Sequence, residues 1–233
     1  MRTLIIFSII LFIASGFGSC HARSGNNHQI QDNMKTISLP EPITDGTFSL
    51  EKSLSLRRSV RSFTNAPMSL ENISQLMWAA QGITEPGRGF RTSPSAGATF
   101  PLEVFVVATN ITGLEPGLYH YSIGNHMLEK KIDGDLHVPL LASALMQQWI
   151  SQAAAIIVIC ADYGRTTGRY GERGIRYVHM ESGHVGQNIA LQAVALDLGT
   201  TMVGAFYDDQ LKDVLQLPDN FEPLYIIPLG HPR

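Results

Sequence analysis

The sequence predicts a domain that mixes α-helices with β-strands, and three stretches carry that prediction. "PLEVFVVAT" (101–109) has strand length and is rich in β-branched residues. "AAAIIVICAD" (153–162) is a nearly continuous apolar run, the pattern of a strand covered on both faces. "GIRYVHMESGHVGQNIALQAVALDLG" (174–199) carries apolar or small residues around most of a helical circumference, which predicts a buried helix.

The remaining elements follow in order. "LEKSLSLRRSVRSF" (50–63) has a helical pattern with Leu50, Leu54 and Val60 on one side. In "SLENISQLMWAAQG" (69–82), Ser69 caps a helix whose Leu70, Ile73, Leu76, Met77 and Ala80 recur at helical spacing, and Gly82 ends it. A glycine-rich loop leads to the strand at 101–109, and "GLYHYSIGNHMLEKK" (117–131) reads as a hairpin turning at Gly124 and Asn125. "VPLLASALMQQWI" (138–150) is an apolar helix, and "YGRTTGRYGERG" (163–174) is a loop before the long helix. On that helix Gly183 and Gly186 each cost about 1 kcal/mol against alanine, so a close approach is the expected compensation. "TTMVGAF" (200–206) and "FEPLYIIPLG" (221–230) read as strands, with Asp208 capping the short helix between them.

The N-terminus has a different character. Residues 1–22 hold one basic residue, Arg2, an apolar run from Leu4 to Ile13 and then small residues, the layout of an export signal. Cys20 stands where a lipoprotein signal places its lipid-bearing cysteine, and cleavage after Ala22 is the competing outcome. Residues 23–47 are polar with scattered Pro and Gly and read as a linker, which leaves 48–233 as one domain. The other cysteine, Cys160, sits in an apolar run and reads as a small core residue.

Composition narrows the function. A chain of 233 residues with a net charge of −3 and no basic stripe lacks the electrostatic footprint of a nucleic-acid binder. Local charge still suffices for a small anion. In "RRSVRSF" (57–63), Arg57 and Arg61 stand four apart and, on a helix, converge on one phosphate with the Ser59 hydroxyl between them. "RTSPSAGATFP" (91–101) joins proline to small residues, so its backbone can approach a planar or anionic ligand. His179 and His184 do not share a helical face as zinc-binding histidines do, and Glu181 is expected to pair with His184 instead of a metal. Neither a G-x-S-x-G elbow nor a G-x-G-x-x-G dinucleotide fingerprint occurs. A phosphate-bearing ligand must therefore be held by side chains and loops.

The order of "RRSVRSF", "PSAGATFPLEVFVV", "GLYHY", "YGERGIRYVHMESGHVGQNIALQAVALDLGT", "GAF" and "LYIIPLG" resembles the nitroreductase family of FMN-dependent oxidoreductases, and most nearly its SagB-type dehydrogenase branch. The resemblance implies an α+β fold with a mixed central sheet flanked by helices, and an intertwined homodimer with FMN sites at the subunit interface. By position it implies that Arg57, Arg58, Ser59 and Arg61 hold the FMN phosphate and ribityl chain. Pro94, Ser95, Ala96 and Gly97 lie along the ring from the other subunit, and the Gly204 and Ala205 backbone faces flavin N5. The chain stops at "GHPR", leaving Arg233 as the one C-terminal contribution to the phosphate. Phe100, Tyr119, Arg165, Arg169 and Arg173 are the expected substrate-pocket residues. The flavin carries the redox chemistry, so no side chain is expected to be catalytic. The implied reaction is ping-pong hydride transfer to or from a small organic or azoline-type substrate, with NAD(P)H or a quinone as electron partner. An export signal favours a partner other than NAD(P)H. A flavin-binding or flavin-degrading protein of the same fold is the alternative.

Overall fold

The computed structural model describes residues 35–233. The export signal read over 1–22, with Cys20, and most of the segment read as a linker lie outside the described residues. The linker's end does not behave as one. Strand β1 (Thr36–Ser38) adds to the edge of the main sheet, and Leu39 is buried in the core behind it. His126 ties this arm down: its Nδ1 meets the Tyr121 hydroxyl at 2.8 Å and its Nε2 lies 3.1 Å from the Pro40 carbonyl. Burial holds the His126 pKa below its ordinary value, so the neutral ring is the one that makes these bonds.

Helix α1 (Leu50–Leu56) is capped by Ser49, whose side chain accepts from the Lys52 N–H. Helix α2 (Leu70–Gln81) is capped by Ser69 and ends at Gly82, as the sequence predicts, and the cap is a capping box completed by Asn72. Ser69→Ala removes that box and is expected to cost about 1 kcal/mol, read as a lowered midpoint in chemical denaturation. A small hairpin, β2 (Ile83–Glu85) with β3 (Phe90–Arg91), occupies the glycine-rich loop. Then come β4 (Leu102–Ala108), β5 (Gly117–Ser122), β6 (Met127–Asp133), α3 (His137–Ser143) and β7 (Ala155–Ala161). The chain continues through α4 (Tyr163–Tyr170), α5 (Arg173–Ala195), β8 (Gly199–Thr200), α6 (Asp208–Leu215) and β9 (Glu222–Gly230).

Seven strands form one sheet in the order β1-β6-β5-β4-β7-β9-β8, with every named pair antiparallel. The sheet is thus antiparallel and not mixed as expected; the parallel pairings among the described residues are isolated bridges outside the named strand pairs, Ser59 to Thr200 and Met68 to Ile111. Alternation along the central strands feeds two cores. Val104, Val106, Ile157 and Ile159 face α2 and α5, whereas Phe105, Val107, Ile156 and Val158 face the layer that holds Leu140, Ile150 and Leu211. Cys160 belongs to the second core, and burial pushes its thiol pKa well up, as befits an inert packing residue.

Five local expectations are corrected. The first helix stops at Leu56 instead of running to Phe63, and Leu50 and Leu54 are exposed while Ser53 is buried. Residues 59–63 are drawn into the sheet: Val60 N–H donates to Thr200 O, and fully buried Phe63 pairs with Pro232. Tertiary pairing and Phe63 burial override helix propensity here. The segment after Ser143 is not a continuous helix, since Leu145 and Met146 are left-handed, with φ of 56° and 55°. Residues 163–170 are helical, because the Asp162 carboxylate caps them by accepting from Gly164 N–H. Of "TTMVGAF", Thr200 is in strand and Val203 makes a single bridge to Ile226. Tyr207, not Asp208, holds the cap position of α6.

The long helix is helical as expected, but one flank of its N-terminal half is uncovered in the single chain, with Ile175 and Met180 exposed. Gly186 has its close approach, the Met202 sulfur, whereas Gly183 faces open space.

Candidate functional site

The arginine segment lies at one end of the sheet as an extended segment joined to it by isolated bridges at Ser59 and Phe63. Arg57 is half-buried at the end of α1, and Ser59 and Arg61 are exposed beyond it. Arg58 turns back, with Nη1 donating to Ser55 O at 3.0 Å and Arg57 O at 2.7 Å, so it caps α1. Arg61 stands 5.7 Å from the Trp149 ring centre. The C-terminus returns to the same place, since Arg233 N–H donates to Ser62 O. Arg57, Arg61 and Arg233 thus share one edge. None of the four arginines has a carboxylate within ion-pair distance among the described residues. By contrast Lys35, Lys130, Lys131 and Lys212 each lie within 3.1 Å of one. Because α1 ends at Leu56, Arg57 and Arg61 do not converge as one turn of a helix would bring them; the backbone places them and Arg233 along one edge, where guanidinium groups without a carboxylate partner can serve an anion.

Two further residues join this edge that sequence reasoning missed. Gln147 donates through Nε2 to Ala144 O and to Ala205 O, and so fixes the exposed Gly204–Ala205 backbone. Trp149 Nε1 is buried without a hydrogen-bond partner among the described residues. Both fall in a stretch whose sequence reads as uninterrupted helix, and nothing in its spacing marks them.

The turn at 94–97 is built differently. Ser93 donates to Ala80 O and accepts from Asn188 Nδ2, which anchors the approach to the turn on α2 and α5. The Ser95 hydroxyl accepts from Phe100 N–H at 2.9 Å. Gly97 is left-handed, with φ of 60°, and its open side is filled by the Tyr170 hydroxyl and by Arg169, which donates to Gly97 O. Ala98 and Phe100 also have positive φ, of 53° and 44°. Three such residues in four hold the turn in a conformation that L-residues adopt at a cost, as functional loops do. Arg91 stacks on Phe100 at 4.0 Å. Tyr170 was not singled out in the sequence, where it reads as part of a polar loop.

The expected pocket set is therefore divided. Phe100 and Arg169 belong to the turn. Arg165 is occupied, bonding Phe100 O, Glu103 at 2.6 Å and Asp162, so it is not free to face an acidic substrate. Arg173 lies over Tyr177 on the exposed start of α5. Tyr119 is fully buried in the core with its hydroxyl donating to Glu115 O, because its strand position faces inward. Glu181 does not pair with His184. It faces Ser95, Arg91 and Gln81, while His179 Nε2 meets the Tyr163 hydroxyl at 2.6 Å.

Strand register separates the two halves. Leu102, which follows the turn, is level with Ala161 and Glu222, whereas Ala108 is level with Ala155, Leu229 and Thr200 at the arginine end. Six residue steps at about 3.3 Å put roughly 20 Å between those levels. A cavity of about 670 Å³ opens elsewhere, between the 41–50 segment, α2 and α5, and no predicted site residue lines it.

The nitroreductase family model matches residues 54–231, the span that carries both halves of the site. A Methanocaldococcus jannaschii protein designated a nitroreductase is 44% identical over 181 residues, 78% of this chain and 90% of that protein. The Bacillus subtilis FMN reductase [NAD(P)H] is 27% identical over 197 residues, 78% of this chain and 65% of its own length. The fold is shared with a chain of the Escherichia coli microcin synthetase complex McbBCD, at a TM-score of 0.68, 21% identity, 95% of this chain and 85% of that one. The α+β fold, the collinear motifs and the match over 54–231 place this chain in the nitroreductase family of oxidoreductases.

Proposed function

We propose that the chain is an FMN-dependent oxidoreductase that works as a homodimer, each site built from the arginine edge of one copy and the 94–97 turn of the other. The observation that carries the reading is the set of arginines at one edge, Arg57, Arg61 and Arg233, with no carboxylate in ion-pair distance of their side chains among the described residues. Arg57 and Arg61 bind the phosphate, joined by Arg233 and the Ser59 hydroxyl. Trp149 Nε1 and the backbone that Gln147 fixes at Ala205 face the rest of the cofactor. The bound flavin supplies the hydride chemistry, and the protein's part is to bind, orient and exclude water.

Two features support the dimer. The halves of the site stand at opposite ends of the sheet, and α1 and α5 expose Leu50, Leu54, Leu56, Ile175 and Met180, a set that a second copy would cover. Gly183, open in one chain, gives room for close helix approach. Substrate is a small organic molecule, azoline-type compounds included, with NAD(P)H or a quinone as electron partner. Retention in an exported or lipid-anchored form through Cys20 belongs to the same reading.

The test is the visible spectrum and solution mass of the natively purified full chain, with acid release of any yellow cofactor. Stoichiometric FMN in a dimer supports the reading, and turnover of bound flavin by reductant and acceptor separates an oxidoreductase from a flavin-storage protein. A monomer that refuses added FMN rejects it.

A further inference from the structure

The turn that carries residues 94–100 is held from outside as well as from within. Gly97, Ala98 and Phe100 all have positive φ, and only the first is a glycine, so the conformation carries a cost that its neighbours must offset. Within the turn, Ala98 N–H donates to Ser95 O at 3.2 Å, Thr99 N–H to Ala96 O at 3.3 Å and Phe100 N–H to Ser95 Oγ at 2.9 Å. From outside, helix α4 grips it at three points. Arg169 Nη1 donates to Gly97 O at 2.9 Å, the Thr166 hydroxyl meets the Thr99 hydroxyl at 2.8 Å, and Arg165 Nη1 donates to Phe100 O at 3.1 Å. Position 169 is a surface neighbour of both 165 and 166 on a helix, so one face makes all three contacts.

Arg165 is itself held in place. Its Nη2 lies 2.6 Å from Glu103 Oε1, and the other oxygen of that carboxylate is 2.7 Å from His120 Nε2. Glu103 stands on β4, just past the turn, with its side chain only 12% exposed. Burial alone would raise the Glu103 pKa, but the bonds from His120 and Arg165 hold it below its ordinary value, so the carboxylate stays charged at neutral pH. Two nitrogens of one planar guanidinium thus tie the Phe100 carbonyl to an anion fixed on the sheet, a geometry that the fork of arginine suits and the single ammonium of lysine does not.

We infer that Glu103 and Arg165 are positioning residues: the carboxylate aims the guanidinium at Phe100 O, and that bond locks the end of the left-handed turn whose 94–97 backbone meets the cofactor. The cofactor part rests on the flavin reading above, whereas the lock on the turn does not.

The test uses three variants of the full chain. Arg165→Met keeps the stem and loses the guanidinium, and Glu103→Leu loses the carboxylate. Glu103→Gln keeps an amide oxygen that accepts from Arg165 and an amide N–H that donates to the His120 ring in its other tautomer. Hydrogen exchange at the Ala98, Thr99 and Phe100 amides should quicken about tenfold in the first two and stay within about threefold of wild type in Glu103→Gln. The Val60 amide, bonded to Thr200 O at the far end of the sheet, should exchange as before in all three. FMN affinity, read by fluorescence titration, should fall about tenfold in Arg165→Met and Glu103→Leu and be kept in Glu103→Gln. Unchanged exchange at the turn in Arg165→Met overturns the inference, as does an equal quickening at Val60, the mark of a general loss of stability. A glutamine variant that loosens the turn as much as Glu103→Leu overturns it too. The Arg165 side chain is 38% exposed, so Arg165→Met decides the matter if Glu103→Leu does not fold. A wild-type protein that takes up no FMN rejects the flavin reading, while the exchange comparison still decides the role of the pair.

Discussion

Replacing Arg57 and Arg61 together by alanine should weaken FMN binding by about 10²–10⁴-fold while leaving the apo fold nearly as stable as before. Each charge-assisted bond to a phosphate is worth about 1.5–3 kcal/mol, and about 1.4 kcal/mol is a tenfold change in affinity. Neither arginine is ion-paired among the described residues, and Arg61 is exposed, so the folded chain loses little besides the contact of Arg61 with Trp149. Arg58→Ala is the discriminating control. Its guanidinium is spent on the carbonyls of Ser55 and Arg57, so its loss should lower the melting temperature slightly and change FMN affinity less than about threefold. Titration of flavin fluorescence with each variant decides the matter. Equal losses for Arg58 and Arg57 would mean that the phosphate site is not where this edge places it.

Gly199→Ala should have the second largest effect, and for a steric reason. A Cβ at Gly199 would lie 2.7 Å from Val60 Cγ1 and 2.8 Å from Val60 Cβ. Val60 is stiff about χ1 and is pinned by its N–H bond to Thr200 O, so it cannot swing away. Overpacking of this kind costs about 1–3 kcal/mol, or about 2–10 °C in melting temperature for a domain of this size. The segment that carries Arg57 and Arg61 must move with Val60, so FMN affinity should fall as well. Val60→Ala in the same chain removes the Cγ1 and Cγ2 contacts but keeps Cβ at 2.8 Å and should restore both only in part, whereas Val60→Gly removes the whole obstruction, a double-mutant cycle with strongly non-additive terms.

Much of the scaffold was legible from its residues. The capping signal of Ser69, the β-branched run of β4, the unbroken apolar run of β7 and the small-residue helix α5 each combine local propensity with a burial pattern that points the same way. The arginine segment was illegible as an extended segment bridged to the sheet. Its helical spacing is real, but the partner that draws Val60 and Phe63 into the sheet is supplied by Thr200 and Pro232, about 140 to 170 residues away in sequence. Tyr119 failed for the opposite reason, since an aromatic in a strand gives no sign of the face it takes until the neighbouring strands are placed. Gln147, Trp149 and Tyr170 carry no local signature, because each matters only through a neighbour brought in by the fold.

Helix α5 has one further consequence. It runs 23 residues beside the sheet, from the 94–97 turn almost to the strand pair that receives Val60. At 1.5 Å per residue it is a rod of about 34 Å, and removing one residue would shorten it by about 1.5 Å and rotate everything beyond by about 100°. The helix is thus a ruler as well as a wall: its length sets the spacing between the 94–97 turn and the edge that receives Val60, and its phase sets their relative aim. Changes of length in this chain are tolerable where loops absorb them, as between β2 and β3, and intolerable between Arg173 and Ala195, where both ends would lose their common measure.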